Sequence, residues 1–299
     1  MLIMRAYLNF DPCRLIISMV FALAALPAFS QAEPEVIRLP LIVNGKPTEV
    51  VAHLYKPAGD GPFPLVIYSH GRAGTRVERA QLERPIAVGH GNFWLKKGVA
   101  VIAPVRPGYG DTGGTDVEDS GAQWRDGQCF GLPDFTTTSL NARRTVVATY
   151  DWALMQPWVR KDRLLIEGQS VGGLTSVAVS ALNLPGVRGI VNFAGGAGGN
   201  PSSSPGKSCE PDVLTKTYRQ FGEAAKAPSL WLYAENDLYW GAEAPKRWFE
   251  AYKAGGSDAE LLQTGPVEGH DGHQLLLRGG AMWSKPLSEF ARKVGLLGE

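Results

Sequence analysis

The six residues Gly168-Gln169-Ser170-Val171-Gly172-Gly173 constrain this chain more than any others. They follow the largely apolar run Arg163-Leu164-Leu165-Ile166-Glu167 and precede small, helix-compatible residues from Leu174 to Leu182. A strand that ends in G-x-S-x-G and turns straight into a helix forces its serine onto a tight, strained turn. Gly168 and Gly172 leave space where a Cβ would clash. The turn lifts the Ser170 hydroxyl above the sheet edge, and the helix that begins there aims backbone N–H groups at any oxyanion forming nearby. The same letters can arise as an incidental Gly/Ser-rich turn. The strand before them and the partners that follow favour a nucleophile.

A serine hydroxyl is a poor nucleophile near neutral pH and needs an adjacent base, itself oriented by an acid. Both follow Ser170 in the chain. Leu230-Trp231-Leu232-Tyr233-Ala234 reads as a strand leading into Glu235-Asn236-Asp237. Asp237 is the expected acid, with Glu235 as the alternative. After the last strand comes Glu268-Gly269-His270-Asp271-Gly272-His273, which holds two of the five histidines. His273 is preferred as the base because Asp271-Gly272 is a turn pair that can swing the next residue toward the serine. His270 then falls at the rim. Two histidines spaced H-x-x-H beside acids could instead bind zinc, but further ligands and the H-E-x-x-H helix pattern are missing, so no metal is expected.

An oxyanion needs two backbone donors. One expected donor is the N–H of Val171, directly after the serine. The other should come from Ser69-His70-Gly71-Arg72-Ala73-Gly74, after the apolar run 64–69. There Gly71 permits close approach, Arg72 N–H is the first choice and Ala73 the second. His70 reads as a structural hydrogen-bonding residue. Arg72 and Arg106 are candidates for an anionic substrate group, although salt-bridged arginines are commoner. Trp124, Phe130, Phe135, Tyr239 and Trp240 fall in the segments expected to wall a cleft, where they would line an acyl or aryl pocket or simply pack the loops down.

Strand-like and helix-like runs alternate along the chain. Residues 37–43 and 49–55 alternate around Asn44-Gly45, a hairpin signal. Strands are expected near 64–69, 99–103, 164–167, 189–193, 230–234 and 259–263. Helices are expected near 76–82, 92–97, 140–155 with Ser139 as cap, 243–254 and 285–294. Two long irregular segments, about 106–137 and 195–227, each follow a strand. This pattern predicts an α/β fold: a mostly parallel sheet with helices on both faces and an antiparallel hairpin at its start. The irregular segments should wall a cleft at the carboxyl ends of the strands.

Taken together, Ser69-His70-Gly71, Arg106-Pro107-Gly108-Tyr109-Gly110, the Gly168–Gly173 motif, Asp237 and Gly272-His273 resemble the α/β-hydrolase superfamily and, within it, the dienelactone-hydrolase-like serine esterases. The resemblance runs from about residue 37 to the C-terminus. It implies the α/β-hydrolase fold, a Ser-Asp-His esterase acting through an acyl-enzyme, a small-molecule ester substrate, His273 over His270, and no metal or organic cofactor. Dienelactone hydrolases proper use a cysteine where this chain has Ser170, so a dienelactone is not the implied substrate. A peptidase or amidase shares the triad, although no propeller-sized N-terminal domain is read in the chain. A non-catalytic binding protein that kept the fold is the rival from another class.

The 299 residues suit one large domain, expected over 33–299. Formal net charge is +1, and Arg5, Arg14 and Asp11 account for it within residues 1–32, leaving the remainder about neutral. With no basic run, nucleic-acid binding has no support. Residues 1–32 read as a signal peptide: Arg5 and Arg14, an apolar run from Leu15 to Phe29, and Ser30-Gln31-Ala32 as a cleavage site. A run of about fifteen residues is short for a membrane span. A periplasmic or secreted protein without stable membrane insertion is therefore expected. Cleavage would leave two cysteines, Cys129 and Cys209, and in an exported protein an even pair suggests a disulfide. Each lies in a long segment leaving the same sheet edge, so the thiols can meet without crossing the sheet.

Overall fold

The computed structural model describes residues 33–298, so the expected signal peptide lies outside the described residues. The chain opens with β1 (Glu35–Val43) and β2 (Lys46–Tyr55), paired antiparallel around Asn44-Gly45. Both turn residues have positive φ, 48° and 76°, as a two-residue hairpin turn of the primed kind requires. There follow β3 (Phe63–Ser69), α1 (Arg76–Ala80), α2 (Val88–Leu95) and β4 (Ala100–Pro104). A small hairpin, β5 (Gln123–Arg125) and β6 (Gln128–Phe130), precedes α3 (Phe135–Leu154). Then come β7 (Val159–Gln169), α4 (Val171–Ser180), β8 (Val187–Phe193), β9 (Gly199–Asn200), β10 (Ser204–Ser208) and α5 (Pro211–Ala224). The chain closes with β11 (Ser229–Ala234), α6 (Glu243–Ala254), β12 (Ala259–Thr264), α7 (Leu275–Arg278) and α8 (Gly280–Lys293).

Eight strands form one sheet in the order β1-β2-β4-β3-β7-β8-β11-β12. All pairs from β4 to β12 are parallel, and β1, β2 and β4 pair antiparallel. Alternate side chains along a strand point to opposite faces, and the core divides accordingly. Val66, Tyr68, Leu165, Val191 and Leu232 pack with Trp94 of α2 and Trp283, Leu287 and Phe290 of α8. Leu65, Ile67, Leu164, Ile166 and Ile190 face the other way, against Val146 and Tyr150 of α3. Trp231 and Tyr233 meet Tyr218 of α5 and Trp248 of α6 on that same face. This is the α/β-hydrolase fold, with Ser69, Ser170, Asp237 and the His273 loop all at the carboxyl edge.

Element boundaries differ from the sequence expectation where polarity hides order. Strand β7 begins at Val159 rather than 164, because Arg160–Arg163 extend the strand into solvent, where no apolar signal marks it. Helix α2 spans Val88–Leu95 rather than 92–97, its first turns disguised by Gly89 and Gly91. Helix α3 starts at Phe135: Asp134 accepts from Thr137 N–H at 2.8 Å as the cap, and Ser139 is an interior residue. Helix α8 starts at Gly280 rather than 285. The segment 195–227 contains α5, whose signal was present: Pro211 in the first turn, with buried Leu214, Tyr218 and Phe221 at helical spacing. The other long segment contains the β5–β6 hairpin, turned by Asp126-Gly127 at positive φ.

Cys129 of β6 and Cys209, just after β10, form a disulfide with Cα atoms 5.2 Å apart, closing a separation of 80 residues. A loop that long removes much denatured-state freedom, up to about 4–5 kcal/mol in the chain-entropy model. Replacing both cysteines with serine should lower the unfolding free energy measured in urea, with that figure as the ceiling. Alkylation of both thiols in the wild-type protein, denatured without reductant, would show the bond does not form.

Candidate active site

The elbow is built as the motif dictates. Ser170 has φ 56° and ψ −124°, between the end of β7 and the first turn of α4, and its side chain caps nothing. This is a left-handed backbone region that serine seldom occupies, so neighbours must hold it there. Ser170 N–H donates to the Phe193 carbonyl at 2.9 Å, and Gly196 N–H donates to the Ser170 carbonyl at 3.2 Å. The flanking glycines are needed for space. A Cβ on Gly168 would strike the Gly172 carbonyl, and a Cβ on Gly172 would strike the carbonyls of Ser69 and His70. A Cβ on Gly71 would lie 3.3 Å from Ser170 Cβ, so the loop after β3 rests directly against the elbow.

Asp237 sits in the turn after β11 and is buried. Its Oδ1 accepts from Tyr239 N–H at 2.7 Å and Trp240 N–H at 3.1 Å, and its Oδ2 faces His273 Nδ1 at 3.0 Å. The two alternatives lie differently. Glu235 is exposed, and His270 is exposed with its backbone alone engaged, its N–H donating to the Val267 carbonyl at 3.1 Å and its carbonyl accepting from Asn236 Nδ2 at 2.9 Å. In the turn Asp271-Gly272, Asp271 Oδ1 accepts from His273 N–H at 2.9 Å. The His273 ring stacks on Tyr239, centroids 4.0 Å apart, and meets Trp240 edge-on at 5.4 Å. Its carbonyl accepts from Gln169 Nε2 at 3.2 Å, which ties the histidine loop to the residue before Ser170. The Ser170 hydroxyl and His273 Nε2 make no hydrogen bond to one another among the described residues. Such contacts often tighten only with substrate in place.

Ser170 and Val171 open onto a cleft of about 660 Å³, walled also by Arg72, Glu78, Arg79, Trp124, Tyr239 and Trp240. Of the five aromatics expected there, Phe135 instead belongs to the core under α5, and Phe130 is exposed on the hairpin away from the cleft. Trp124 is held as a wall by its Nε1–H donating to the Gly198 carbonyl at 2.9 Å. On its strand it stands opposite Cys129, so the disulfide anchors the same hairpin.

The first turn of a helix leaves its N–H groups without intrahelical acceptors, and neither Val171 N–H nor Arg72 N–H has an acceptor among the described residues. The arginine side chains are committed to carboxylates. Arg72 makes a two-pronged contact with Asp116, at 2.8 and 2.6 Å, and Arg79 approaches the same carboxylate at 3.2 Å. Burial works against ionisation of both partners. The Arg72–Asp116 hydrogen bonds outweigh it, holding the guanidinium above and the carboxyl below their ordinary ranges. Arg106 is fully buried and pairs with Glu118 at 2.6 Å. Burial, then the Arg106 charge, pushes His70 well below its ordinary range, so it is neutral. Its ring nitrogens are both occupied, by Gly71 O at 2.7 Å and Arg106 N–H at 3.1 Å, in the structural role expected of it.

No protein-family model matches the sequence, and comparison with curated proteins finds no match. Solved structures do share the fold. Est1E from Butyrivibrio proteoclasticus, with ferulic acid bound, superposes with a TM-score of 0.58 at 16% identity, covering 85% of this chain and 98% of its own. The Pyrococcus furiosus esterase Pf2001 gives 0.59 at 13% identity, covering 87% and 91%. The Pyrococcus horikoshii acylaminoacyl peptidase gives 0.62 at 14% identity over 89% of this chain and 42% of the peptidase.

The steric reading of the elbow has a direct test. Gly172→Ala would drive a methyl group into two backbone carbonyls that cannot rotate away. It should destabilise the protein by about 3 kcal/mol or more, read from urea denaturation. A loss under about 1 kcal/mol would mean the loop after β3 does not rest on the elbow.

Proposed function

We propose that this chain is a serine hydrolase that cleaves carboxylic esters of small molecules through an acyl-enzyme. The observation that carries this reading is the Asp237–His273 pair, 3.0 Å apart with Asp237 buried, whose histidine loop is hydrogen-bonded to Gln169, the residue before a serine held at φ 56°. Ser170 Oγ attacks the ester carbonyl carbon while His273 Nε2 takes its proton. Asp237 holds the Nδ1–H tautomer and stabilises the imidazolium. The N–H groups of Val171 and Arg72 receive the oxyanion. The tetrahedral adduct collapses, the C–O bond to the alcohol breaks, and His273 returns the proton to the departing alkoxide. Water, deprotonated by His273, then attacks the acyl-enzyme and releases the carboxylic acid and Ser170.

The structural neighbours include esterases and a peptidase, which supports hydrolysis at an acyl carbon more than a particular leaving group. The Cys129–Cys209 bond supports an exported protein working under oxidising conditions, as the reading of residues 1–32 proposes.

Ser170→Ala should lower kcat on p-nitrophenyl esters by several orders of magnitude with the circular dichroism spectrum unchanged. His273→Ala should cost a similar factor and His270→Ala less than about threefold, since only the former removes the base. The panel should include p-nitroanilides of the same acyl groups, for which faster turnover would favour an amidase. Near-normal ester turnover by a folded Ser170→Ala protein would overturn the mechanism.

A further inference from the structure

The proposed mechanism uses the Arg72 N–H, which lies in the loop after β3, outside any helix or strand. The Gly71 carbonyl belongs to the same peptide unit as that N–H. It accepts two hydrogen bonds, from His70 Nδ1–H at 2.7 Å and from Arg106 Nη2 at 3.2 Å. The same guanidinium also donates to the Ser69 hydroxyl at 2.9 Å and to the His70 carbonyl. One buried side chain therefore grips three successive residues leading to the donor. Arg106 is aimed by Glu118, whose other oxygen accepts from Tyr109 OH at 3.4 Å. Its own backbone N–H fixes the His70 tautomer by donating to Nε2, which leaves the Nδ1 proton for Gly71. Asp116, two residues before Glu118, clamps the Arg72 side chain and accepts from Glu118 N–H at 3.0 Å.

Resting on the esterase reading, we infer that Arg106 is a positioning residue whose buried guanidinium, with His70, pins and polarises the Gly71–Arg72 peptide so that its N–H becomes a strengthened oxyanion donor. Charge drawn toward the carbonyl oxygen makes the N–H of the same peptide more positive, because hydrogen-bonded groups in a low-dielectric interior reinforce one another. A charged donor on that oxygen does this more strongly than a neutral one. The interaction grows as charge develops on the substrate oxygen, so it favours the tetrahedral state over bound ester. Arg106 thus acts on catalysis without touching substrate, and its full burial excludes it as a receptor for a substrate anion.

Arg106→Lys keeps a charge opposite Glu118 but cannot span Ser69, His70 and Gly71 together. With rates normalised by fluorophosphonate active-site titration, kcat should fall about tenfold or more while KM stays within about twofold. Affinity for a trifluoromethyl ketone, which forms the tetrahedral adduct, should fall by the same factor as kcat/KM. A purely structural role would lower the titratable fraction and leave kcat per active site unchanged. If Arg106→Lys does not fold, His70→Gln serves, since it disturbs the second donor to the same carbonyl and should weaken ketone binding in the same way. Unchanged kcat and ketone affinity in the folded variant, with Ser170→Ala inactive, would overturn this inference and leave the esterase reading standing. An active Ser170→Ala protein would instead remove the reading beneath it.

Discussion

The architecture turns on a steric contact: the backbone of Gly172 lies against the carbonyls of Ser69 and His70, with no room for even one methyl group. Strands β3 and β7 are adjacent and parallel, so their carboxyl ends emerge side by side. The chain leaving β7 must turn sharply into α4 while the chain leaving β3 crosses beside it. Both can occupy that space only if the crossing residues are glycines, and Ser170 accepts a left-handed backbone as part of the arrangement. The Ser170 hydroxyl and a row of amides are thereby brought together by packing.

Electrostatics then secures what packing brings together. Two carboxylates two positions apart, Asp116 and Glu118, engage two arginines, Arg72 and Arg106, on the loops after β3 and β4. Isolated buried charges are costly, but here each guanidinium meets a carboxylate and Arg106 also satisfies neutral oxygens. The loop after β4 is irregular in its backbone yet ordered by ion pairs.

Much of this was legible in the sequence, for identifiable reasons. The strained serine turn, the parallel sheet and the pairing of Asp237 with His273 follow from local signals: a glycine-framed serine after an apolar strand, and a turn pair placed before one histidine but not the other. Helix α5 is hidden in the sequence although Leu214, Tyr218 and Phe221 mark one face, because the glycines, serines and prolines upstream give the whole segment the composition of a loop. The arginines illustrate a deeper limit. Nothing near Arg106 in sequence says that Ser69, His70 and Gly71 will surround it, since those residues lie more than thirty positions earlier and meet it only once the sheet forms. Phe135 and Phe130 fall in cleft-walling segments by sequence, yet one is a helix residue turned into the core and the other an exposed hairpin residue.

The turn after β11 ties two properties of the site to one carboxylate. Asp237 Oδ2 orients the imidazole, while its Oδ1 accepts from the backbone of Tyr239 and Trp240, whose rings flank that imidazole and wall the cleft. Acid and wall are therefore mechanically one part. Replacing Trp124 across the cleft would leave the Asp237–His273 pair in place, whereas any change at Asp237 alters the shape of the cavity and the setting of the imidazole together. The shape of this cleft is least constrained at the disulfide-anchored hairpin, where a side chain can be changed without touching the turn after β11.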